Sequence, residues 1–158
     1  MYSLAPVVKL ALLIATAVFA TSSGQVRKMG QMRVHLHCEV DLDDGQCECV
    51  VVLDGDGRGF PSHPSGKEDD FRLEPGGSRL YLQPRHGAQF AKGAASEAGL
   101  SGCMTAPYAK GRLRVDDLPM GHHICVRTNQ GRYAELRIDE AIRRGADRVL
   151  LSYTTWER

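Results

Sequence analysis

From Met32 the chain alternates. Val34, Leu36, Cys38, Val40 and Leu42 fall on one side, His35, His37, Glu39 and Asp41 on the other, the period of two that marks a strand with one face in a core. Asp43-Asp44-Gly45-Gln46 follows, and Asp-Gly suits a tight hairpin because both residues tolerate positive φ. The pattern predicts a strand over 32–42, a two-residue loop at Asp44-Gly45 and a second strand over 46–54. In that register Leu42 faces Cys47, Val40 faces Cys49 and Cys38 faces Val51, so all three cysteines point to the core.

Residues 55–70 (GDGRGFPSHPSGKEDD) carry glycine, proline and charge without period, which describes an exposed loop. Short strands are expected at 71–73 and 79–83, where Leu80 and Leu82 share a face, with Pro75-Gly76-Gly77 as their turn. Residues 84–107 are irregular, and the glycines in AQFAKGAASEAG allow no more than a turn of helix. The C-terminal third reads as a meander: strands at 112–115, 123–128 and 132–138, then 149–155 after DEAIRRGAD, a turning segment with one helical turn at most. Ala134, Leu136 and Ile138 oppose Tyr133, Glu135 and Arg137, while Ile124 and Val126 continue the buried side. The expected fold is all-β, a single-domain antiparallel β-sandwich or partly open barrel of about seven or eight short strands.

The first residues change the setting. A weakly basic start with Lys9, an apolar run over 10–20 and small residues at Val18 and Ala20 have the pattern of a signal peptide. The run is shorter than the roughly 20 residues of a transmembrane helix. We divide the chain into a signal peptide over 1–20, a flexible linker over 21–31 and a β-rich domain over 32–158. Cleavage after Ala20 leaves 138 of the 158 residues, enough for one core. The leader holds one lysine and no acid, so the remainder balances 19 basic against 19 acidic residues. Such a chain lacks the basic excess that nucleic acid rewards by counterion release.

Five cysteines, Cys38, Cys47, Cys49, Cys103 and Cys125, follow the leader, and an exported chain can keep disulfides. Cys125 has the opposite parity to Ile124 and Val126, so it turns away from their face and needs a partner there. Pairing with Cys103 closes a loop that stabilises by roughly 3 kcal/mol in the chain-entropy model. Cys38 is diagonal to Cys49 in the register above, which leaves Cys47 as the free thiol.

The run Asp117-Leu118-Pro119-x-Gly121-x-x-Ile124-Cys125-Val126-Arg127-Thr128-Asn129-x-Gly131-Arg132-Tyr133, with Tyr153-Thr154-Thr155-Trp156 at the end, resembles a bacterial module of secreted proteins. The same module is appended to the extracytoplasmic ends of some bacterial serine/threonine kinases. Asp41-Leu42-Asp43 with Gly45, Asp70-Phe71, Pro84 with His86-Gly87-Ala88, and Gly102-Cys103 with Ala106 and Tyr108 fit it as well. The resemblance covers most of the chain after the leader and implies a non-catalytic extracytoplasmic domain. No glycine-rich loop, His-Arg-Asp or Asp-Phe-Gly segment of a kinase is present. The Cys38, Cys47, Cys49 cluster departs from the module's pattern.

Other chemistry is thin. His35, His37, Cys38, Cys47 and Cys49 offer zinc-type ligands, but on a strand the histidines face away from the cysteines, against the tetrahedral convergence zinc requires. His35, His37 and Glu39 form a same-face row of the kind found on the wet side of a sheet, and the adjacent His122 and His123 point apart. Asp54-x-Asp56 faintly matches a calcium loop, yet Arg58 stands where a third ligand belongs. Serine, histidine and aspartate occur without a nucleophile elbow, and Cys47-x-Cys49 lacks the helix N-terminus that makes thiols reactive. The reading is therefore a secreted or periplasmic non-catalytic binding or accessory module, with no catalytic residue, metal or cofactor. Its partner is an unknown protein or cell-envelope component met through the loops at 55–70 and 84–102. The alternative is a thiol-redox or metal-handling protein using Cys38, Cys47, Cys49 and His35/His37.

Overall fold

The computed structural model describes residues 24–48, 50–53, 59–62, 68–92 and 96–157. The signal-peptide segment, Cys49, and Asp54 and Asp56 lie outside the described residues.

Two antiparallel five-stranded sheets form an all-β sandwich. The first runs β1 (Val26–His35), β12 (Arg148–Trp156), β11 (Tyr133–Ile138), β10 (His123–Arg127), β8 (Gln89–Ala91). The second runs β3 (Gln46–Glu48), β2 (Glu39–Asp41), β6 (Phe71–Gly76), β7 (Arg79–Pro84), β9 (Leu113–Arg114). A separate hairpin pairs β4 (Val50–Leu53) with β5 (Gly59–Ser62), and α1 (Gly99–Thr105) is the one helix among the described residues. Alternate residues of both sheets meet in one core: Val34, Ile124, Val126, Leu136, Ile138 and Leu151 from the first, Val40, Phe71, Leu73 and Leu82 from the second. Phe71 and Phe90 join the layers edge to face, ring centres 5.8 Å apart.

The expected strand over 32–42 is two strands in different sheets. β1 ends at His35, and His37, at φ +64°, turns the chain into the second sheet. The corner is pinned by Leu36 N–H to the Asp147 carbonyl (2.8 Å) and His37 N–H to the Leu73 carbonyl (2.7 Å). Parity survives because both sheets face the same core, so Val34, Cys38, Val40 and Leu42 are all buried across the break. β1 also begins at Val26, inside the segment expected as linker. Its first six residues are exposed, so their pairing with β12 leaves no apolar alternation to read.

The hairpin after β2 is shifted as well. Val40, not Leu42, pairs with Cys47, and the turn takes four residues, 42–45. The Asp41 carboxylate accepts the N–H groups of Asp43 (2.8 Å) and Asp44 (3.2 Å), starting the turn earlier than Asp-Gly alone suggests. Elsewhere β5 lies within the segment read as loop, α1 forms within 84–107, Gly77 and Ser78 make the β6–β7 turn, and residues 139–147 hold no helix.

Candidate functional site

The outer face of the first sheet is divided between a dry and a polar half. Cys125, Trp156 and Ala91 turn outward and are covered by α1 through Cys103, with Leu100, Tyr108 and Tyr133 at the margin. Cys103 and Cys125 form a disulfide, Cα atoms 5.2 Å apart, that ties the helix to β10. Tyr108 donates its hydroxyl to the Cys103 carbonyl (2.7 Å), and burial raises its phenol well above the ordinary range.

Beyond the helix lies an open groove of about 380 Å³, whose lining includes Gln31, Glu97, His123, Glu135, Arg137 and Ser152. These come from four adjacent strands and the segment leading into α1, because outward-facing positions on paired strands stand side by side. Glu135, buried at the floor, accepts the N–H groups of Ala98 (2.7 Å) and Gly99 (3.2 Å) and lies 3.2 Å from Nδ1 of His123. At the rim, Asp139 accepts from Gln31 Nε2 (2.7 Å), Arg137 Nε (2.7 Å) and the Ser152 hydroxyl. Burial works to raise the Asp139 carboxyl, but the bonds from Ser152, Gln31 and Arg137 outweigh it and hold the group below its ordinary value. The result is a row of polar groups in fixed orientations, with the Arg137 guanidinium half exposed, suited to hydrogen bonding with a polar ligand.

A second cluster sits at the end of the sandwich where the 42–45 turn meets the β10–β11 hairpin. Asp41, Asp43 and Asp70 are all buried, and each offers an oxygen within 4.8 Å of the others. Asp70 accepts from Leu42 N–H (2.9 Å) and Asn129 N–H (2.7 Å), bonds that favour its charged form, yet burial dominates and pushes its carboxyl up to about 7. Burial also raises Asp41. Asp69, beside Glu39, is pushed up to about 7 by burial first and by that neighbouring acid second. Asp41, Asp43 and Asp70 were not among the sequence-derived candidates. Asp-x-Asp-Asp-Gly at 41–45 is an oxygen-rich spacing, but Asp70 joins it only through the fold.

The cysteine and histidine candidates do not converge. Cys38 is buried and disulfide-bonded, so it offers no thiolate, and its expected partner Cys49 is outside the described residues. Cys47 is a free, half-buried thiol directed at the Arg33 carbonyl (3.9 Å), and burial raises it, the opposite of an activated thiol. His35 is exposed on β1, His37 occupies the corner, and Glu39 is buried in the other sheet 3.7 Å from Arg85. The expected same-face row is thus broken by the change of sheet.

Fold and groove together define an all-β sandwich with a polar, preorganised outer face. No family model matches the chain, and no curated protein matches it. A solved structure to which it is similar is the crystal structure of the Tannerella forsythia apo HmuY analog (TFO), at 13% identity and a TM-score of 0.45, over 83% of this chain and 97% of that one. Identity and superposition are both too low for that protein's properties to be carried over. No helix among the described residues is long and apolar enough to cross a membrane.

Proposed function

We propose that this chain is an extracytoplasmic, non-catalytic binding module that holds a polar component of the cell envelope in the groove beside α1. The observation that carries this reading is the fixed polar row from Gln31 through Ser152 and Arg137 to His123, built across four strands and braced by Asp139 and Glu135. Groups held this way lose little entropy when a ligand replaces water on them. The signal-peptide pattern, the Cys103–Cys125 disulfide and the resemblance to a module of secreted proteins support the compartment.

Co-sedimentation with isolated bacterial envelopes tests the proposal. The exported protein is expected to pellet with them, and Arg137→Glu combined with Ser152→Trp is expected to abolish pelleting when assayed well below its unfolding midpoint, which the loss of two bonds to Asp139 lowers. Treating the envelopes with protease separates a protein partner from a polymer. Equal sedimentation of both proteins, or of neither, overturns the assignment to the groove.

A further inference from the structure

Three buried carboxylates are held together at one end of the sandwich. Asp41 ends β2, Asp43 lies in the following turn and Asp70 immediately precedes β6, so the group is assembled from two separate parts of the chain. Backbone N–H groups hold two of the acids in place: those of Asp43 and Asp44 on Asp41, and those of Leu42 and Asn129 on Asp70. Asp43 is 1% exposed. Its Oδ1 meets Arg132 Nη1 at 3.2 Å and the Thr128 hydroxyl at 3.3 Å, while its Oδ2 is buried with no hydrogen-bond donor among the described residues. A buried carboxylate oxygen without a partner is costly and rare in a finished structure. Among the described residues Arg132 is the one cation on these three carboxylates, while Arg27 is taken up by the Asp43 carbonyl (2.8 Å) and the neighbouring Asp44 carboxylate (3.2 Å).

We propose that Asp41, Asp43 and Asp70 bind a divalent cation of the calcium type, which locks the 42–45 turn against the β10–β11 hairpin. Carboxylate oxygens are hard ligands, and calcium accepts irregular sets of them together with water and carbonyl oxygens, whereas magnesium demands a near-octahedral shell. The exposed Asp44 and Glu68 carboxylates adjoin Asp41 in an overlapping group, Asp44 being paired with Arg27 at 3.2 Å, and the ion reaches the buried triad from this side. Protonation of one acid is the competing way to relieve the same charge.

The test uses the exported full chain, stripped with a chelator and dialysed at physiological ionic strength. Calorimetric titration with calcium chloride is expected to show one ion per chain, with an affinity in the range of extracellular modules, about 0.1 to 1 mM. Saturating calcium is expected to raise the unfolding midpoint by roughly 5 °C, with a smaller response to magnesium and none to sodium at matched ionic strength. Asp43→Asn is expected to abolish both the heat and the shift, and Asp44→Asn, on the side of entry, to weaken binding by less than about tenfold. Absence of calcium binding to the wild type overturns the proposal, and this result does not depend on how any variant folds. Unchanged binding in Asp43→Asn, or loss in Asp44→Asn alone, also overturns it by placing the ion elsewhere.

Discussion

Thr155, in the first sheet, donates its hydroxyl to the carbonyl of Leu42, at the start of the acidic turn in the second, at 2.8 Å, with both residues wholly buried. A single side chain thus joins the last strand to a turn 113 positions earlier and holds that turn against the opposite layer. Replacing Thr155 with valine keeps the shape and strands the Leu42 carbonyl. Denaturant unfolding is expected to show a loss of about 1 to 3 kcal/mol, and a loss below the error of the measurement would remove this bond from the account.

Gly45 closes the same turn at φ +67°, and a Cβ there would stand 2.1 Å from the Tyr153 hydroxyl oxygen. Gly45→Ala therefore meets both a left-handed backbone, worth about 1 to 2 kcal/mol, and a collision. The variant is expected to lose more than that backbone cost, and Tyr153→Phe to recover part of the excess. A double-mutant cycle measures the coupling directly.

The Cys103–Cys125 bridge spans 22 positions and lies beside the chain's one tryptophan, Trp156. Converting both cysteines to alanine is expected to cost about 3 kcal/mol. The Trp156 emission is expected to shift to the red before global unfolding, as α1 loosens from the sheet. Simultaneous loss of all signals would show that the helix has no independent opening.

Cysteine accounting is checked chemically. The exported protein, denatured without reductant, is expected to take up one equivalent of thiol reagent at Cys47, with Cys38 and Cys49 recovered in one cross-linked peptide. In the native state Cys47 is expected to react slowly near pH 8, because burial raises its thiol and keeps it protonated. Rapid native labelling, or three labelled cysteines, contradicts this arrangement.

Asp116 contributes one part of the pH dependence of stability. It accepts two bonds from Arg114, at 3.0 and 2.9 Å, and one from Leu80 N–H at 3.2 Å, and the Arg114 bonds hold its carboxyl below the ordinary range. A carboxyl lowered by folding stabilises the protein above its unfolded value, near about 4, and loses that contribution as pH falls through the folded value. Asp116→Asn is expected to lower stability at pH 7 by on the order of 1 kcal/mol, through the weakened hold on the Leu80 amide. The two unfolding curves are expected to converge below about pH 3; a gap that persists there would trace the loss to packing.

Alternation along the chain determined the fold class, the inward-facing residues of β7, β10 and β11, and the outward turn of Cys125, because side-chain parity is a local property of a pleated strand. The β6–β7 and β10–β11 hairpins were legible for the same reason, since their partners lie within a few residues. Parity records which face is buried and not what buries it. It passed unchanged through the corner at His37, so only the tertiary structure decided that β1 and β2 belong to different sheets. The groove and the acidic cluster depended on the same long-range pairing. Gln31 meets Asp139 across 108 positions and Leu42 meets Asp70 across 28, and which distant segments stand together is set by the packing of the two layers around one core.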